Sequence, residues 1–90
     1  MAWRVIVRFS LNADQGSVVR NNIARILDAS NIKNTATGTW ESSGLTETAA
    51  AQTLADVMKE LANAPTLNHG AYLDHLWIYV DRSISTSEAN

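Results

Sequence analysis

The segment WRVIVRFSL at 3–11 alternates strictly along its length. Trp3, Val5, Val7, Phe9 and Leu11 point one way and Arg4, Ile6, Arg8 and Ser10 the other, the two-residue period of a strand with one buried face. A second run, LDHLWIYVDR at 73–82, predicts the last strand, with Leu76, Ile78 and Val80 inward and His75, Trp77, Tyr79 and Asp81 outward. Two helical stretches lie between them. NADQG at 12–16 is turn-forming, and Asp14 or Ser17 can cap the helix that follows. Val19, Ile23, Ile26 and Leu27 fall at helical spacing and carry that helix to Ser30 or Asn31. Thr46 caps a second helix, and Glu47 in its first turn complements the helix dipole. Its predicted buried stripe is Ala50, Leu54, Val57, Met58 and Leu61, and Pro65 ends it. The Thr-rich stretch 32–44 reads as extended, with Gly38 marking a bulge, a sharp bend or the break between two short strands. Residues 63–72 read as the longest loop.

The order is therefore β, α, β (one strand or a pair), α, β. Two helices on one face of an antiparallel sheet make an α+β domain of the ferredoxin-like, split βαβ kind. In that arrangement the first strand is central and the last lies antiparallel beside it. A parallel, flavodoxin-like sheet would bury both faces and would call for continuous apolar strands, whereas the outermost runs of this chain alternate. One domain is expected over 1–82, followed by a frayed polar tail, SISTSEAN, at 83–90.

At 90 residues and 46% hydrophobic side chains, the chain has material for one core. Seven Lys and Arg against nine Asp and Glu give a net charge of −2, which argues against a surface coated in basic charge and leaves room for a local basic patch. Without cysteine there is no disulfide framework, thiolate zinc site or thiol nucleophile. Apolar runs fall far short of the ~20 residues needed to span a bilayer, and MAWRVIVRFS lacks the layout of a secretion signal. The expectation is a soluble, cytoplasmic protein with no membrane partner.

If the outermost strands are neighbours, the register that best matches their outward groups sets Arg4 against Asp81, Ile6 against Tyr79, Arg8 against Trp77 and Ser10 against His75. It predicts one ion pair and one cation–π contact, Arg8 on Trp77. Two large aromatics and an isoleucine on an open sheet face call for an explanation. The first is a homodimer interface using Ile6, Trp77 and Tyr79. The second is an RNA or DNA platform, in which Arg4 and Arg8 hold phosphates and Trp77 and Tyr79 stack bases. The third is a small-ligand pocket roofed by the 63–72 loop. Ser10, His75 and Asp81 supply the residue types of a hydrolase triad. No G-x-S-x-G elbow surrounds Ser10, however, and six strand residues hold Asp81 about 20 Å from His75. His69 and His75 lack carboxylates at ligand spacing, so neither a metal nor a cofactor is expected.

The pieces VIVRFSL, NNIARILDASNI, GTWESSGLT, LADVMKELANAP and LDHLWIYVD resemble, in order and spacing, the virulence-associated protein D family and the small ferredoxin-like subunit of the CRISPR spacer-acquisition complex. The likeness covers residues 3 to 82. It implies a homodimer of ferredoxin-like protomers associated with RNA or DNA, in some members a ribonuclease. Those families carry an aspartate after an aromatic residue at the end of strand one. Here Phe9 is followed by Ser10, and a neutral hydroxyl cannot replace a carboxylate as a ligand for a hard cation. Arg8 beside it would repel a bound Mg²⁺. The expectation is thus a nucleic-acid-associated or protein-interaction module without metal-dependent nuclease activity. The enzyme alternative is an endoribonuclease of toxin type using Ser10, Arg8 and His75, with His75 as general acid or base.

Overall fold

The computed structural model describes residues 2–82; the expected tail at 83–90 lies outside them. Elements run β1 (Trp3–Asn12), α1 (Val18–Ala29), β2 (Lys33–Ala36), β3 (Thr39–Leu45), α2 (Glu47–Ala62), a single helical turn α3 (Ala64–Leu67) and β4 (Tyr72–Arg82). The strands form one sheet in the order β2-β3-β1-β4, with every neighbouring pair antiparallel. Each helix connection therefore skips over one strand. β1 reaches β2 across β3, and β3 reaches β4 across β1, which is the split βαβ, ferredoxin-like arrangement.

The extended stretch 32–44 is a pair of strands joined by the two-residue turn Thr37-Gly38. Gly38 is required there. Its φ is +72°, and a β-carbon at that position would stand 3.1 Å from the Phe9 carbonyl oxygen. The same closeness lets the Phe9 amide donate to the Gly38 carbonyl at 3.1 Å, which extends the β1–β3 ladder into the turn.

The core lies between the sheet and the helices. Val5, Val7 and Phe9 of β1 and Trp40 and Leu45 of β3 meet Val19, Ile23 and Leu27 of α1 and Ala50, Val57 and Leu61 of α2. Trp40 belongs wholly to this layer, its ring stacked on Phe9 at 5.0 Å with Arg20 above it. The α2 stripe differs from expectation. Thr53 is buried in place of Met58, which is 48% exposed, and Leu54 is half-buried. The Thr53 hydroxyl meets Ser30 Oγ, at the C-terminal cap of α1, at 2.6 Å. Helix α2 ends at Ala62, and Pro65 begins a further helical turn, where its missing N–H costs no bond. The 63–72 segment is thus not an open loop, because Ala64 and Ala71 are fully buried in the core.

Candidate functional site: the open sheet face

On the sheet face away from the helices, β1 and β4 pair as expected. Arg4 lies opposite Asp81, Ile6 opposite Tyr79, Arg8 opposite Trp77 and Ser10 opposite His75. From β3, Thr39 stands opposite Arg8 and Glu41 opposite Ile6, so two transverse rows cross the face. One reads Trp77, Arg8, Thr39 and the other Tyr79, Ile6, Glu41. Regular alternation puts these groups here: Val5, Val7 and Phe9 of β1 are drawn into the apolar layer and Leu76 and Ile78 of β4 pack against it, whereas Val80, expected to face inward as well, stays 38% exposed on the outermost strand.

Trp77 and Tyr79 remain 50% and 38% exposed, and Ile6 is half-buried. The two rings stack on each other, with centroids 6.0 Å apart and planes 11° from parallel. This self-stacking displaces the cation–π contact predicted between Arg8 and Trp77. The arginine over an aromatic ring on this face is Arg4, 5.2 Å from the centre of Tyr79. Arg4 Nη2 also donates to Asp81 Oδ2 at 3.4 Å, and the Tyr79 hydroxyl donates to the same oxygen at 2.8 Å. Asp81 Oδ1 is shielded from solvent without a hydrogen bond, and Arg4 Nε 3.4 Å away supplies charge contact in place of a well-formed bond. Interaction with Tyr79, then the Asp81 charge, pushes the Arg4 guanidinium further above its ordinary value. Among the described residues, by contrast, the Arg8 side chain makes no hydrogen bond, ion pair or ring contact.

Ser10 and His75 are brought opposite each other, yet they are not bonded to each other. Ser10 Oγ donates to Asp74 Oδ2 at 3.1 Å, and His75 Nε2 lies 3.5 Å from the same oxygen. A carboxylate therefore sits between hydroxyl and imidazole, an order that does not aim the imidazole at the hydroxyl as a nucleophile's base. Asp74 was invisible to alternation because it sits where the β1–β4 register shifts, between the Ser10 and Leu11 pairings. Among the described residues, no group of three or more His, Cys, Asp or Glu side chains converges as a metal ion would require.

Beside this corner a cleft of about 620 Å³ opens at the end of the sheet. Its lining includes Arg8, Ser10, His75, Trp77, Arg20 and the Thr37-Gly38 turn. Two cations thus border one concave space, a feature the sequence did not disclose because Arg20 belongs to α1 and reaches the cleft only through the fold. No family model, no curated protein and no solved structure matches this chain.

Proposed function

We propose that this chain is an interaction module that works as a homodimer and uses the aromatic strip on β4 to associate with its own kind. The observation that carries this reading is the pairing of charge within the open face. Arg4 is committed to Asp81 and Tyr79, so the Ile6 and Tyr79 end of the strip is apolar surface with little free charge, and Arg8 opposite Trp77 is the one open-face arginine left without a side-chain partner among the described residues. Burial against a second protomer removes such surface from water at about 25 cal/mol per Å². A small domain gains proportionately more from this than a large one. Sedimentation equilibrium over a wide concentration range tests it. A monomer–dimer equilibrium is expected, and Trp77→Ala is expected to weaken it at least tenfold. A chain that stays monomeric throughout rules the reading out.

A second reading, association with single-stranded RNA or DNA, is favoured by one specific observation. Arg8, whose side chain has no partner among the described residues, lies beside the exposed Trp77 and shares the cleft at the sheet end with Arg20. A phosphate held between these arginines would place a base on Trp77. Fluorescence anisotropy with labelled oligonucleotides checks this, with Arg8→Ala expected to weaken binding and to lower the slope of its salt dependence by about one counterion. Cleavage of RNA that His75→Ala abolishes would establish the enzyme reading in its place.

A further inference from the structure

We infer that β4 pairs with the β4 of a second copy, antiparallel, across a two-fold axis at Ile78, joining two four-stranded sheets into one of eight strands. This inference rests on the homodimer reading and says which surface and which register make the dimer.

Among the described residues both ends of the sheet are edges, and the two are not alike. β2 is four residues long, carries Lys33, and pairs irregularly with β3. Short, charged and irregular edges resist joining another sheet. β4 is 11 residues long and contains no proline. From Leu76 to Arg82 its ladder with β1 runs without a break, the register shift lying on the far side of His75. Its outer backbone groups form a regular template that another strand can complete. Side-chain exposure is concentrated on the same element. Of the eight large apolar or aromatic side chains exposed among the described residues, five lie on β4: Tyr72, Leu73, Trp77, Tyr79 and Val80. Leu76 and Ile78 on the helix side are only partly covered by their own core.

The segment HLWIYVD at 75–81 is chemically complementary to its own reverse. With the axis at Ile78, His75 faces Asp81 of the second copy, Leu76 faces Val80, Trp77 faces Tyr79, and Ile78 faces itself. Opposite residues in an antiparallel pair share a face, so the axis moves in whole-residue steps and the alternatives can be enumerated. With the axis at Trp77, the Asp74 carboxylate opposes Val80. With the axis at Tyr79, Trp77 opposes Asp81 and Leu76 opposes Arg82. Only the axis at Ile78 places aromatic on aromatic, aliphatic on aliphatic and base on acid throughout. It lines the two Trp77–Tyr79 stacks into one aromatic band on the open face. On the other face it sets Leu76, Ile78 and Val80 of both copies into a shared apolar seam.

The absence of cysteine makes the test direct, because a single introduced thiol can form a protein disulfide only with another molecule. Opposed residues in an antiparallel ladder have α-carbons about 4.5–5.5 Å apart, within disulfide reach. In a glutathione redox buffer, Ile78→Cys is expected to form a disulfide-linked dimer at least tenfold more completely than Val80→Cys, whose two copies stand about 13 Å apart. Equal cross-linking of the two variants in a protein that sediments as a dimer overturns the β4 register and leaves the homodimer standing. A monomer at every concentration overturns both. Should Ile78→Cys fail to fold, amide exchange on the unaltered chain decides. The amides of 75–81 that point away from β1 are expected to slow as concentration rises, and a dimer in which they do not slow overturns the register.

Discussion

Asp14 shows what one side chain does when three segments meet on it. Its carboxylate accepts from the Val19 and Arg20 amides at the start of α1, each at 3.0 Å, and from Asn68 Nδ2 at 2.8 Å. The same Asn68 amide donates to the Gln15 carbonyl, so the segment before β4 is tied to the start of α1. Partial burial pushes the Asp14 carboxyl up, but the bonds from Arg20, Asn68 and Val19 outweigh it and the net direction is down. A carboxyl depressed in the folded state stabilises fully above its unfolded value, near 3.9, and loses that contribution as pH falls through the folded value. Asp14→Ala is therefore expected to cost about 1–2 kcal/mol at neutral pH. In urea unfolding the gap between variant and parent should narrow below about pH 4. The capping role of Asp14 was legible, since a turn-forming run ahead of helical spacing leaves few other uses for it. Its bond with Asn68 was not legible, because 54 residues separate the two and only the fold brings them together.

At the scale of elements, the outermost strands were read most completely. Alternation on both fixed which groups share a face, and opposite charge at Arg4 and Asp81 then selected one register among few. Helix α2 was read less well. Periodicity marks a broad apolar arc, and where the arc meets its neighbour depends on how closely two helices approach. Here Ala50 and Thr53 are buried and Met58 is exposed. Thr53 is absent from the apolar pattern because it is polar, and its bond partner, Ser30, lies at the end of the other helix. That pair supports a specific cycle. Ser30→Ala leaves the buried Thr53 hydroxyl unpaired and is expected to destabilise by about 1–3 kcal/mol. Thr53→Val in the same chain should recover most of the loss, because two apolar groups then replace two bonded ones. Chemical denaturation of the two single variants and the double variant measures this, and strict additivity would argue that the hydroxyls act independently.

For the molecule as a whole, the proposed homodimer would tie stability to concentration. If folded chains associate and unfolded chains do not, mass action raises the unfolding midpoint as protein concentration rises. The thermal midpoint is expected to climb through the dimerisation range, and in Trp77→Ala that climb is expected to begin at a concentration at least tenfold higher. No helix among the described residues is long and apolar enough to cross a membrane. The architecture was legible because each of its parts carries local periodicity. The cleft between Arg8 and Arg20 and the contact of Ser10 and His75 with Asp74 were not, since each joins side chains from elements that only tertiary structure sets side by side.

The three tryptophans occupy three unlike surroundings: Trp3 half-buried near one end of β1, Trp40 enclosed against Phe9, and Trp77 open to water on β4. Indole emission responds to the polarity around the ring, so the chain carries built-in optical reporters for distinct events. Trp40 registers loss of the native interior and Trp77 the arrival of a neighbour. Single-tryptophan versions would let assembly and unfolding be followed separately in one cuvette, with no dye attached.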